Sequence, residues 1–162
     1  MIKMDYTEIL IDIRKIVRSI NLESKRIQKT MGISIPQLLC LNYLNKREDL
    51  TATQKEITLF LHLNRSTVSG IISRLEKKKL LNRLPKARDK RTTYVSLTQE
   101  GIKLLAASHG LLHDRLNVKL SELSKSKVRE VKGGLETLVK SLEIESIEAS
   151  SLITMEDPMS FD

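Results

Sequence analysis

Apolar residues recur at helical spacing along the first thirty positions. Ile9, Ile13, Ile16, Ile20 and Ile27 stand 4, 3, 4 and 7 apart, with Leu10 and Val17 beside them. That periodicity predicts one long amphipathic helix over about residues 5–29, closed by Gly32. Ser34-Ile35-Pro36-Gln37 has capping-box spacing with proline in the first turn, and predicts a second helix through Leu38, Leu41 and Leu44. Thr53 and Glu56 repeat the box and start a short third helix, expected to bury Ile57, Phe60 and Leu61 and to end near Leu63. Asn64 is a good N-cap for a fourth helix, whose apolar stripe is Val68, Ile71, Ile72 and Leu75. Residues 81–84 and 92–97 then read as strands, the second with Thr93, Val95 and Leu97 on one side and Thr92, Tyr94 and Ser96 on the other. Thr98 caps a fifth helix expected to continue through Leu104, Leu105, Leu112, Leu116 and Leu120. Ser124 opens a sixth, with Val128, Val131, Leu135, Leu138 and Leu142 spaced 3, 4, 3 and 4. Gly133-Gly134 inside it costs about 1 kcal/mol per glycine in helix propensity, which predicts either a bend or a second backbone packed close.

Two short adjacent helices followed at once by a hairpin make a winged helix-turn-helix. The expected fold is therefore mainly α with a small β-hairpin wing, flanked by a helical layer. Residues 34–97 form the winged unit, residues 1–33 and 98–145 the helical region, and residues 146–162 a tail expected to be disordered. The flanking helices carry apolar faces with no partner in sequence. Ile9, Ile13 and Ile16 with Val131, Leu135, Leu138 and Leu142 are the expected dimerisation set.

Charge sharpens this picture. Residues 64–94 hold ten basic and two acidic residues, so this window alone carries the chain's net +8. The hairpin tip Arg88-Asp89-Lys90-Arg91 belongs to this window, and a field so concentrated points to a polyanion. Residues 143–162 hold six acidic and no basic residues. Aromatics are only 3%, which argues against stacking on single-stranded bases. The face of the fourth helix opposite its apolar stripe is Ser66, Thr67, Ser69, Gly70, Ser73, Arg74 and Lys77, short or basic residues that can approach another polar surface closely. On duplex DNA, Arg74, Lys77 and Arg83 would neutralise phosphates while Arg65 and the hydroxyls reach base edges. A slim hairpin bearing arginine suits a narrow A/T-rich minor groove, with Arg91 inserted, Asp89 orienting it, Arg88 and Lys90 near the backbone, and Lys86 also in the DNA-binding wing.

Other chemistries find little material. No Gly-rich phosphate loop, nucleophile elbow or HExxH is present, so an enzyme is not expected. No apolar run reaches the roughly 20 residues that span a bilayer, and the N-terminus lacks the zones of a secretory signal, so the expected location is cytoplasmic. Cys40 sits in an apolar stretch and reads as a buried structural thiol. His109 and His113 are four apart on the expected fifth helix and offer two ligands of a metal site that needs three or four, which leaves a metal-responsive regulator as an alternative and no metal or cofactor as the expectation. A winged helix that docks on an acidic protein is the other alternative.

Three stretches, in this order and spacing, resemble the MarR family of transcriptional regulators over nearly the full length. They are Ser34 to Gln37 before an apolar helix; Asn64-Arg65-Ser66-Thr67-Val68-Ser69 followed by Arg74-Leu75-Glu76-Lys77-Lys78-Lys79-Leu80-Leu81; and Asp89-Lys90-Arg91 leading into Val95-Ser96-Leu97-Thr98-Gln99-Glu100-Gly101. The resemblance implies a homodimer on a pseudo-palindromic duplex, with fourth helices in successive major grooves and wings in flanking minor grooves. It implies a repressor released by a small-molecule effector, held in a cleft lined by the first, second and fifth helices. The family usually has glycine where this chain has Lys79. Left-handed lysine costs about 1 kcal/mol, which favours a helix running on slightly before the strand.

Overall fold

The computed structural model describes residues 6–85, 92–108 and 111–147. The element order is α1 (Thr7–Met31), α2 (Ile35–Asn45), β1 (Thr51–Thr53), α3 (Gln54–Leu61), α4 (Arg65–Lys77), β2 (Leu81–Arg83), β3 (Tyr94–Leu97), α5 (Gln99–Ala106), α6 (Leu112–Ser121) and α7 (Lys125–Ser141). Each boundary has a local cause. Gly32 turns left-handed (φ 67°) and its N–H donates to the Gln28 carbonyl, ending α1. Both capping boxes form. Ser34 N–H donates to Gln37 Oε1 at 2.9 Å, and Thr53 N–H to Glu56 Oε2 at 2.7 Å. The hydrogen bonds from the Thr53 amide and hydroxyl hold the Glu56 carboxyl below its usual range.

The sheet has three strands in the order β1-β3-β2, both pairings antiparallel, with Ala52 opposite Val95 and Leu81 opposite Leu97. β1 adds to the expected hairpin. Three residues are too short for a period of two to register, and the turn before it is set by side-chain bonds from Thr51 to Asp49. Against this sheet pack α2, α3 and α4, around Leu41, Leu44, Ile57, Val68, Ile72, Leu75, Leu81 and Val95, all fully buried. Ile27 anchors the end of α1 in the same core.

Phe60 departs from expectation. Ile57 and Leu61, one turn apart, fill the core contact of α3, and Phe60 stays 44% exposed with its ring centroid 4.6 Å from that of Tyr43. The expected fifth helix is two helices. α5 ends at Ala106, and Leu111 is extended (φ −61°, ψ 145°) with its side chain buried in the core before α6 begins. Seating Leu111 in the core sets the start of α6 apart from the end of α5. Gly101 lets α5 lie against the sheet, because a Cβ there would collide with the Leu80 carbonyl. α7 runs unbroken through Gly133-Gly134, and among the described residues no atom lies within 4 Å of a Cβ built at either. Neither α6 nor α7 buries a residue fully within this single chain.

At the end of α4 the helix does not run on. Lys79 is left-handed (φ 61°), its N–H donates to Glu76 O at 2.8 Å, and Leu80 N–H donates to Leu75 O at 3.0 Å. That pair of bonds is a Schellman stop, and Thr98 Oγ1 donates to the Lys79 carbonyl at 2.8 Å to tie it to β3. Removing the Cβ should relieve strain. Lys79→Gly is expected to stabilise the fold by about 1 kcal/mol and raise Tm by roughly 2–4 °C, read by thermal unfolding. An unchanged or lower Tm would mean that the position carries no strain.

Candidate nucleic-acid interface

α4 divides cleanly into two faces. Val68, Ile71, Ile72 and Leu75 are buried, and Arg65, Ser66, Ser73, Arg74 and Lys77 are exposed, with Thr67, Ser69 and Gly70 half-buried between them. The start of the helix is held from two sides. Asn64 Oδ1 accepts from Thr67 N–H and from the Ser66 hydroxyl, each at 2.7 Å, and Gln54 Nε2 on α3 donates to the Arg65 carbonyl at 3.1 Å. The two helices of the helix-turn-helix are thereby locked at the turn.

Further along, the Arg74 guanidinium folds back over Gly70, 3.6 Å from where a Cβ would stand. Arg83 on β2 bridges back to the same helix. Its Nη1 pairs with Glu76 Oε2 at 2.6 Å and its Nη2 donates to Ser73 Oγ at 2.9 Å. Ser73 and Arg83, named separately from sequence, are thus one unit, and Glu76 offsets part of the arginine's charge. Glu76 was missed, although its place one turn from Ser73 was legible. A polar cleft of about 300 Å³ adjoins Arg65 and is walled by Gln54, Lys55, Thr58 and Thr92, joining α3 to the base of the hairpin. None of those four was named as a site residue from sequence. Their signal was the Thr53 capping box, which places the start of α3 at the surface.

Lys86, Arg88, Asp89, Lys90 and Arg91 lie outside the described residues, as does His109. His113 lies in the first turn of α6. Among the described residues no three of His, Cys, Asp or Glu are grouped to hold a metal ion. Cys40 is fully buried and burial pushes its thiol up to about 12, which suits a packing role. No described helix is long and apolar enough to cross a membrane.

A second cleft, of about 240 Å³, opens between α1, α2 and α6. Its walls are Ile20, Ile27, Leu38, Leu39, Leu111 and Leu116, with Glu23, Asn42, His113 and Asp114 as its polar groups. Glu23 Oε1 accepts the Leu112 N–H at 2.7 Å, capping α6 where Leu111 has no side chain to do so. On α1 and α7, Ile9, Ile16, Val131, Leu135 and Leu142 are exposed, and Ile13 and Leu138 are half-buried. A groove of about 760 Å³ runs along α7, with Val128, Val131, Leu135 and Val139 in its wall and Leu120 of α6 beside them.

Comparison with known proteins gives consistent findings. A sequence profile described as MarR family matches residues 31–92. The organic hydroperoxide resistance transcriptional regulator of Bacillus subtilis (strain 168) is 28% identical over 125 residues, covering 77% of this chain and 82% of that protein. The solved complex of S. aureus MepR with DNA superposes with a TM-score of 0.62 at 26% identity, covering 86% of this chain and 99% of MepR. A MarR family regulator of Streptomyces coelicolor, solved with DNA, shares the fold with a TM-score of 0.62 at 18% identity, over 89% of this chain and 93% of that one.

Proposed function

We propose that this chain is a winged helix-turn-helix transcriptional regulator of MarR type, a homodimer that reads a pseudo-palindromic duplex and represses transcription until a small molecule binds. One observation carries the reading. α4 presents a face of short hydroxyl and glycine positions edged by Arg65, Arg74 and Lys77, its start held by Asn64 and Gln54 and its Ser73 tied to Arg83. Such a face can enter a major groove without steric obstruction. That the DNA-bound S. aureus relative aligns over nearly its full length supports the same role.

In this reading Arg65, Ser66, Thr67, Ser69, Gly70 and Ser73 lie near base edges, and Arg74 and Lys77 near phosphates. The hairpin residues Lys86, Arg88, Asp89, Lys90 and Arg91 follow the flanking minor groove. α1 and α7 of two copies bury one another's apolar faces, and the cleft between α1, α2 and α6 holds the effector. Binding to a library-selected duplex and to a scrambled one across a salt series tests this. Strong salt dependence with a clear preference for the selected duplex is expected. Lys77→Ala should weaken both duplexes alike and lower the salt slope by about one unit. Equal and weak binding of both duplexes, together with capture by an acidic protein surface, would favour a docking module instead.

A further inference from the structure

The cleft between α1, α2 and α6 is charged against the sign of the molecule around it. The chain carries net +8, yet the charged side chains lining this cleft are the carboxylates of Glu23 and Asp114, with neither lysine nor arginine in its walls. Glu23 is the inner of the two, its side chain only 10% exposed. Among the described residues its carboxylate accepts from Leu112 N–H at 2.7 Å and Arg26 Nη2 at 3.1 Å on Oε1, and from Arg26 Nε at 3.1 Å on Oε2. A carboxylate offers about four acceptor positions, and the bonds above take one of those on Oε2. Arg26 is 49% exposed and does not line the cleft, so it meets Glu23 from the solvent side. Asp114 stands on the first turn of α6 and forms no ion pair among the described residues.

A ligand entering here leaves water for walls of isoleucine and leucine, where charge acts more strongly than in bulk solvent. An anion would face the Asp114 carboxylate and a Glu23 carboxylate that Arg26 offsets from the solvent side only, and a cation would meet both as opposite charge. Building on the effector reading above, we propose that this cleft selects a small apolar compound bearing one positive charge, an amine or quaternary ammonium on a single ring-sized body, seated between Glu23 and Asp114. The cleft is smaller than the roughly 300–1,000 Å³ typical of drug-sized sites, which sets the size of that body. The position also gives the ligand a lever. Glu23 is the cap of α6, and α6 leads into α7, the proposed dimer helix. A cation that draws the carboxylate toward itself loosens the Leu112 bond and alters how α6 and α7 set the two reading heads apart.

Calorimetric titration of the full-length protein at pH 8 with benzyltrimethylammonium, benzyl alcohol and phenylacetate separates the possibilities. The cation should bind at least tenfold more tightly than the other two. Glu23→Gln, which keeps an oxygen for the Leu112 N–H, and Asp114→Asn, on an exposed turn, should each weaken the cation severalfold and leave benzyl alcohol unchanged. Phenylacetate or benzyl alcohol binding as tightly as the cation would overturn the charge assignment while leaving an effector cleft standing. Binding of none of the three would overturn the cleft itself as a ligand site. Cation binding unaffected by both substitutions would place the cation elsewhere and overturn the proposal.

Discussion

Leu135→Asp should turn the protein into a monomer that keeps its helices and loses operator affinity by about a hundredfold or more, because a two-headed reader gains 10²–10⁴ from engaging both half-sites. Leu135 is 53% exposed at the centre of the α7 seam, with Val131 39% and Leu142 60% exposed to either side. Ile9 and Ile16 on α1 are exposed as well. A single chain with this much contiguous apolar surface on its two longest helices is poorly matched to water. The open backbone at Gly133 and Gly134 adds that another chain can come close along the same helix. A carboxylate placed in a seam of this kind must be desolvated without a partner, which the interface cannot tolerate. Since no core residue is disturbed, circular dichroism should be unchanged while sedimentation at about 10 µM reports the monomer mass. Leu59→Asp is the control. Leu59 is exposed on α3, away from the seam, and its substitution should leave mass and affinity as they were. A Leu135→Asp protein that stays dimeric and binds its duplex normally would mean that the subunits meet elsewhere.

Where a boundary is made by a few neighbouring residues, the sequence already carried it. Ser34-Gln37, Thr53-Glu56, Asn64, Thr98 and Ser124 all cap the helices they were read to cap, because a capping bond spans only three residues. The buried stripe of α4 was legible for the same reason, each residue following from its helical phase. What failed depended on distant contacts. Phe60 has the right period to be buried, but Tyr43 of α2 offers it a ring at the surface. The break before α6 comes from Leu111 reaching the core and from Glu23, 89 positions earlier, capping Leu112. Lys79 adopts the conformation its side chain resists, since Leu80 must turn at once into the sheet and the Thr98 hydroxyl fixes the carbonyl between them. The α4 face was read residue by residue, yet the tie of Arg83 to Glu76 and Ser73 needs the hairpin to fold back, and no local pattern announces it.

Gly70 offers the sharpest separation of fold from function. It lies on the outer face of α4, where a Cβ would meet only the end of the Arg74 side chain at an ordinary 3.6 Å. Gly70→Ala should therefore stabilise the protein by about 0.8–1 kcal/mol through helix propensity alone, with the guanidinium shifting slightly. Gly70→Phe should also fold, as nothing in the core is touched. In the proposed complex, however, its ring would stand where α4 needs clearance from the base edges and would push Arg74 off the face. Affinity for the selected duplex should fall about a hundredfold, toward that for scrambled DNA, since one lost base-reading contact already costs about 1–3 kcal/mol. Binding to scrambled duplex should change little and keep its salt slope, because Lys77 and the neighbouring Lys78 still meet phosphates. Thermal unfolding of both variants, with titrations of both duplexes at two salt concentrations, reads all of this together. If Gly70→Phe held the selected duplex as tightly as the parent protein, α4 would not be the helix that enters the groove, whatever the rest of the fold resembles.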